Sequence, residues 1–468
     1  MSHIDSKGNT TKRRWALDPV MMMFTALAIA IALTWTIPSG EYQRRGSSET
    51  AAVVPGTYQE LAKELSPAAL IPQSAKSERV SPVSPAAMVT SIPAGLAKSS
   101  GLIFMILLLG GMFGVLRTSG ALDAGIERLL ALSGGRVGVV TPVVMIAISA
   151  GSTFLGLISE YLLIIPIIIA LAERLGLSKL YGFAMLTLAA KVGYLASVTN
   201  PVALLIAQPI VGVPVFSGAL FRFVIWAVYL AIAIWIVLRL GKDGARKVVD
   251  WHGGRLSARH FAVLLTVSAT VVMLIYGSAV LGWRDVQFAS LFVLTAVIMA
   301  LAAGMSPREG AHAFVDGMKS MMLAALLIGM ARAVELVLRE GRILDTIIAV
   351  ASDQVAHLSP ILVAPLVMVF EMFLTLLIPS TSAKAALSIP ILGPIAQTVG
   401  VSGQTTVLAF LLGNGLVNMF APTSGMLLAY LATANITYGA WFRFVLPIFG
   451  IFTVLSIAAT MIAVVIGY

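Results

Sequence analysis

Apolar residues run along this chain in long blocks, with no strict alternation and no narrow helical stripe. The blocks approach the ~20 residues a helix needs to cross ~30 Å of hydrocarbon. They fall near 19–38, 100–118, 181–208, 218–240, 260–282, 286–304, 320–338, 404–433 and 440–467. They are too long for barrel strands, so the pattern predicts an all-α polytopic membrane protein. Two further apolar segments break in the middle. The first, 138–175, reads as short arms at 139–155 and 161–173 around Gly156 and Glu160. The second, 360–399, bends around Pro379-Ser380-Thr381-Ser382. Arg136 precedes the first segment, and Arg174 and Lys179 follow it, so it is expected to enter the bilayer and return as a re-entrant hairpin. The expectation is nine crossings plus two hairpins.

Charge sets the expected orientation. Lys7, Lys12, Arg13 and Arg14 precede the first block and place the N-terminus in the cytoplasm by the positive-inside rule. Lys242, Arg246, Lys247, Arg255 and Arg259 mark a second cytoplasmic loop. The first block is longer than the apolar core of a signal peptide and no A-x-A site follows it, so it is expected to stay as a span. A multi-pass protein of the cell inner membrane, with its C-terminus outside, is the resulting expectation.

Composition agrees. The 468 residues are 59% hydrophobic and 11% charged, against about 45–50% and about 25% in soluble domains. The net charge of +10 reports loop Lys and Arg and does not point to a nucleic-acid partner. Cysteine is absent, which excludes disulfides, thiolate metal sites and cysteine nucleophiles. His3, His252, His260, His312 and His357 show no metal-ligand spacing, and no H-E-x-x-H, Walker loop or G-x-S-x-G is present. Neither a cofactor, a metal centre nor an enzyme is expected.

The chain repeats itself. Phe221-Arg222-Phe223-Val224 recurs as Phe442-Arg443-Phe444-Val445, an offset of 221. Gly120 and Gly341, Lys98 and Lys319, and Pro201 and Pro422 share that offset, and Asp123 and Asp345 differ by 222. In the hairpins, Pro166 with Pro390 and Gly176 with Gly400 differ by 224. The expected organisation is a cytoplasmic N-terminus and first span (1–38), a Pro/Ser-rich external loop of little function (39–98), repeat one (99–240), a basic loop with two extra spans (241–305), and repeat two (306–468). Three crossings per repeat and two extra spans give the halves opposite topology. Inverted repeats with broken helices are the architecture of secondary transporters, whose sites lie where the breaks meet.

Four breaks occupy corresponding places. They are Gly156 to Glu160 at the first tip, Ser197-Val198-Thr199-Asn200-Pro201, Pro379 to Lys384 at the second tip, and Asn414 to Gly425. Proline there frees backbone carbonyls, and Ser, Thr and Asn offer neutral donors and acceptors. The candidate solute ligands are Ser159, Glu160, Ser197, Thr199, Asn200, Ser380, Thr381, Ser382, Lys384, Asn414, Asn418, Thr423 and Ser424. Ionisable residues inside a membrane are costly and usually functional; Glu160, Lys191, Glu371 and Lys384 are the intramembrane set. Lys191 and Glu371 read equally well as a structural or snorkelling pair. Arg332 and Glu335, three apart, should pair with each other.

At these residues the sequence resembles the C4-dicarboxylate anaerobic carrier family in its YfcC-like branch, often labelled basic amino-acid antiporters. The resemblance is carried by Leu109–Asp123, Asn200-Pro201, Ala385–Pro390, Thr406–Phe410 and Pro422-Thr423-Ser424. It implies the ion-transporter superfamily: homodimers with a scaffold and a moving part that carries the hairpins in an elevator-like cycle. The chain departs from the branch pattern at Ile158-Ser159-Glu160, Lys384 and Asn414-Gly415, where two acids are lost and one base is gained. That shifts the expectation towards a secondary transporter of small carboxylates, amino acids or dicarboxylates, coupled to Na+ or H+. Arginine/ornithine exchange is the alternative, and an ion channel the alternative of another class.

Overall fold

In hydrocarbon a backbone N–H or C=O has no solvent partner, so each apolar block closes its hydrogen bonds along its own axis. The computed structural model describes residues 19–45, 52–63, 67–70, 80–125, 128, 137–241, 257–283, 285–355 and 358–468. Most of the basic residues behind the expected orientation, from Lys7 to Arg14, Arg136 and Lys242 to Arg255, lie outside the described residues.

Helix α1 is Pro19–Thr36. After it come four short strands, β1 (Ser39–Glu41), β2 (Arg44–Arg45), β3 (Ala52–Val53) and β4 (Gln59–Leu61), with β1 antiparallel to β4 and β2 to β3. Then follow α2 (Ala87–Lys98) and α3 (Ser100–Thr118). The first segment expected as a hairpin is a helix pair, α4 (Val137–Ala150) and α5 (Tyr161–Arg174), joined through one π turn at Gly151–Leu155. Next are α6 (Lys179–Ala196), α7 (Pro201–Ile210) and α8 (Ala219–Leu240), then α9 (Ala258–Ala279) and α10 (Asp285–Ala303). The chain continues through α11 (Pro307–Lys319), α12 (Met322–Glu340) and α13 (Leu344–Val355). The second expected hairpin is the pair α14 (Pro360–Leu377) and α15 (Thr381–Thr398). Helices α16 (Gly403–Val417), α17 (Gly425–Ala434) and α18 (Tyr438–Val465) complete the chain.

Among the described residues seven helical stretches are long and apolar enough to cross a bilayer, or eight if the α11–α12 pair, bent by 41°, counts as one span. This differs from the expected nine crossings plus two hairpins because several expected spans fall short among the described residues: the apolar stretches Val20–Thr36 of α1 and Ala258–Leu274 of α9 are below span length, as are both parts of the block at 404–433. The block at 404–433 is split by its break into helices of 15 and 10 residues, and at ~1.5 Å per residue neither covers ~30 Å alone. Conversely, Val137–Leu155 and Pro360–Leu377, first arms of the two pairs, are each long enough to span.

Helix α6 is buried on every face from Tyr181 to Ala196, and α16 likewise from Thr405 to Val417. Around α6 lie α4, α5, α8 and α16; α14 packs on α16 and α18. The outer helices turn apolar side chains away from the protein, as with Phe223, Val224 and Trp235 of α8 and Val454 of α18. Arg332 and Glu335 pair at 2.5 Å as expected, and Arg339 joins the same carboxylate at 3.0 Å.

The segment expected as a featureless loop is a strap. Tyr42, Val53 and Val83 are buried in one cluster with Ile343, Leu344, Leu387 and Ile391. Arg44 pairs with Asp345 at 2.8 Å, whose carboxylate also accepts from the Tyr42 N–H. Strands of two or three residues leave no period to read, and the Asp345 that holds Arg44 lies 301 residues away in the chain.

Candidate functional site

The break between α6 and α7 leaves backbone groups that must find partners inside the protein. Ser197 ends α6 with φ 44°, and Asn200 caps α7 by accepting from the Val202 N–H at 2.9 Å. The first helix pair supplies the rest. Thr153 Oγ1 accepts from the Val198 N–H, the Thr153 carbonyl from the Thr199 N–H, and Thr199 Oγ1 donates to the Phe154 carbonyl. Arg222, fully buried on α8, donates to the Val198 carbonyl at 3.0 Å and to the Tyr468 hydroxyl at 3.0 Å. Gly156 turns the chain at the tip with φ +73°, and a Cβ there would lie 2.5 Å from Asn200 Oδ1. Glycine is required twice over, for its conformation and for the close approach.

The second break is held differently. Trp441 Nε1 donates to the Met419 carbonyl at 2.8 Å, and the Tyr438 hydroxyl donates to the Phe420 carbonyl, both from α18. Ser424 caps α17, and Ser380 caps α15. Asn414 Nδ2 donates to Thr381 Oγ1 at 3.1 Å and to the Tyr194 hydroxyl at 3.3 Å; Tyr194 and Thr381 also bond to each other. Asn418 Nδ2 donates back to the Asn414 carbonyl at 2.9 Å. One polar network thus joins α6, α15 and α16.

Between these elements lies a cavity of about 310 Å³. Of the sequence-predicted residues, Ser159, Glu160, Thr381, Ser382, Asn418 and Ser424 line it. Lys191, Tyr194, Tyr430, Trp283 and Asp285 line it too. Among these, only Lys191 had been singled out by sequence. Tyr194 stands one turn beyond it before the break, a spacing that could have been read. Tyr430, Trp283 and Asp285 carry no local signal.

The starts of α5, α7, α15 and α17 all reach this cavity, through Glu160 at the N-cap of α5 and through Val202, Thr381 and Gly425 in the first turns of the others. Helix N-termini present unpaired N–H groups and a partial positive charge. The Lys191 ammonium lies over the Tyr430 ring, 5.8 Å from its centre, and pairs with no carboxylate among the described residues. Glu160, mostly buried, turns one carboxylate oxygen back to accept from the Ile158 N–H at 2.8 Å, and the Tyr430 hydroxyl donates to the Ile158 carbonyl. Four helix starts and the Lys191 ammonium thus share the cavity lining with two acids, Glu160 and Asp285.

The remaining candidates lie off the cavity wall. Ser197, Thr199 and Asn200 are used in holding the α6–α7 break, Ser380 in capping, and Asn414 in orienting Thr381. Thr423 Oγ1 is buried without a hydrogen-bond partner among the described residues. Lys384, expected to face the solute across from Glu160, is fully buried one turn below Thr381. Its ammonium lies 3.1 Å from Glu371 Oε2 and donates to Thr375 Oγ1 at 2.6 Å. Its partner is the preceding arm of its own helix pair, because the side chain of a fourth residue in a helix points along the helix flank and not out of its start.

The family model described as DcuC, C4-dicarboxylate anaerobic carrier, matches residues 18–465. The chain is 27% identical to the "Putative basic amino acid antiporter YfcC" of Escherichia coli (strain K12), across 97% of this chain and 98% of that protein. It is also 27% identical to an uncharacterized protein of Haemophilus influenzae, across 92% and 93%. Among solved structures it is similar to the YdaH transporter of Alcanivorax borkumensis, with 14% identity, 96% of this chain and 99% of that one covered, and a TM-score of 0.45. It is similar too to MtrF of Neisseria gonorrhoeae, described within a class of antimetabolite efflux pumps, with 17% identity, 96% and 95% coverage, and a TM-score of 0.42. The chain belongs to the C4-dicarboxylate anaerobic carrier family and is a multi-pass membrane transporter.

Proposed function

We propose that the protein is a secondary active transporter of small carboxylate-bearing solutes, amino acids or dicarboxylates, across the cell inner membrane. The observation that carries this reading is the convergence of four helix starts and the Lys191 ammonium on one cavity. Helix N-termini and an ammonium both favour a carboxylate. About 310 Å³ lies at the small end of the ~300–1,000 Å³ of small-molecule sites. In this reading Lys191 takes the role that the sequence had given to Lys384, with the hydroxyls of Thr381, Ser382 and Ser424 around it.

The transport cycle in this proposal is elevator-like, in a homodimer, with the N-terminus in the cytoplasm and the two halves as inverted repeats. Two features support it: helix–break–helix pairs at 137–174 and 360–398, and broken helices at 179–210 and 403–434, recur in the same order. Transporters with broken helices bind their solutes where the half-helix ends meet. Conductance in planar bilayers far above carrier turnover would favour a channel instead.

Uptake of labelled carboxylates and amino acids into proteoliposomes tests the solute class. Lys191→Ala should raise the KM about ten- to a hundredfold, the range of a charge-assisted hydrogen bond. An unchanged KM would overturn the role of Lys191. A second reading, exchange of basic amino acids, is favoured by Glu160 and Asp285 on the same wall and by the name of the Escherichia coli relative. Counterflow of arginine against ornithine, abolished by Glu160→Gln, would select it.

A further inference from the structure

Outside the cavity lining, Lys384 sits in a cage of oxygens. Its ammonium touches Glu371 Oε2 at 3.1 Å, the Glu371 carbonyl at 3.2 Å and Thr375 Oγ1 at 2.6 Å, and lies 4.9 Å from the centre of the Phe410 ring. A carboxylate, a carbonyl and a hydroxyl are the ligands that hard cations take, and an aromatic face adds attraction for a cation. One carboxylate balances one positive charge. The cage is closed: Lys384 and Glu371 are almost wholly buried, and α16 crosses so near that a Cβ on Gly413 would meet the Met368 carbonyl at 2.4 Å and Glu371 Cβ at 2.9 Å. It is also next to the solute cavity, because α15 carries Thr381 on the cavity wall one turn before Lys384.

We infer that this cage is a small monovalent-cation site in which the Lys384 ammonium is the permanently tethered occupant. The oxygens belong to α14, the cation to α15, and the ring to α16. Occupancy therefore holds the second helix pair against α16, and the wild-type protein needs no inorganic cation at this place. Removing the ammonium leaves the buried Glu371 carboxylate without a counter-charge, a strongly unfavourable state that either a proton or a free cation relieves.

The test is thermal unfolding of the purified full-length protein in detergent, in potassium, sodium or ammonium chloride against choline chloride at equal ionic strength. It requires no transported solute, so its failure is distinct from a failure of the solute assignment. Wild type should melt at the same temperature in all four salts. Lys384→Ala should melt well below wild type in choline, and at least one small cation should raise its melting temperature saturably, as a ligand that binds only the folded state does. The double variant E371Q/K384M removes both charges and should be indifferent to the salt. The inference is overturned if K384A melts alike in every salt, if it fails to fold in all of them, or if the double variant shows the same cation response.

Discussion

The Lys191 ammonium lies 5.8 Å from the centre of the Tyr430 ring, while the hydroxyl of that tyrosine donates to the Ile158 carbonyl at the first tip. One side chain therefore fixes both the cation of the cavity and the turn that carries Glu160. The two contacts can be separated. Tyr430→Phe keeps the ring and loses a hydrogen bond worth about 0.5–1.5 kcal/mol, so the KM for the transported solute should rise about two- to tenfold. Tyr430→Leu also forfeits the cation–π contact, worth about 0.5–2 kcal/mol more. Uptake kinetics in proteoliposomes rank the three proteins; equal KM values for Phe and Leu would remove the ring from the site.

Gly156 and Asn200 form a steric pair. Gly156→Ala places a methyl 2.5 Å from Asn200 Oδ1 in a left-handed turn, with a conformational cost of about 1–2 kcal/mol before any clash. Asn200→Ala alone removes a helix cap, worth about 1 kcal/mol. In the double variant the shortest clash is gone and only the 3.1 Å approach to Val202 Cγ2 remains, so the loss of stability should be smaller than the two single losses added together. Thermal unfolding of the four proteins gives the coupling. Additivity within about 0.5 kcal/mol would mean that the tip and the break do not touch in the folded protein.

Much of this was legible because the breaks are written locally. Pro201, Pro379 and Pro422 mark helix starts, Gly156 marks a left-handed turn, and Ser380 and Ser424 mark caps; each acts on backbone within a few residues of itself. Which side chains share a wall depends instead on packing between distant segments. The offset aligned Glu160 with Lys384, yet Glu160 lines the cavity and Lys384 turns to Glu371, thirteen residues back on the other arm. Lys191 and Glu371, both intramembrane candidates that read equally well as structural, part in the same way: Lys191 reaches the cavity and Glu371 does not. Trp283 arrives from the segment after α9 and Asp285 from the first turn of α10, where nothing in the sequence interrupts an ordinary connection.

The repeated Phe-Arg-Phe-Val sequence makes a further contrast. Arg222 is fully buried and spans the Val198 carbonyl and the Tyr468 hydroxyl, whereas Arg443 is exposed. Arg222→Met leaves a buried carbonyl without its donor, which costs about 1–3 kcal/mol. Arg222→Lys should recover little of it, since a single ammonium lacks the planar fork that reaches two acceptors. Arg443→Met should stay within about 0.5 kcal/mol of wild type, as surface substitutions usually do. Melting temperatures in detergent decide the matter; equal losses at the two arginines would show that both hold their helix breaks.

The strap over α13 and α15 gives a pH-dependent signature. Burial, and then the Asp345 carboxylate, push the Tyr42 phenol up from 10.0 to about 12. The folded protein thus keeps a proton that the unfolded chain releases above pH 10. Below that pH both states are protonated and Tyr42 adds no pH dependence. As the pH rises from 10 towards 12 the unfolded state is favoured increasingly, so stability is lost through that window. Tyr42→Phe has no proton to lose and should show a shallower fall in melting temperature over the same range. Lysines titrating nearby act on both proteins, so the difference between the two curves isolates Tyr42. Asp345→Asn should move the onset part of the way towards Tyr42→Phe, because it removes the second-largest cause and leaves burial, the largest, in place. Superimposable curves for wild type and Tyr42→Phe would show that Tyr42 is solvated, and that the strap does not seal against the Asp345 carboxylate.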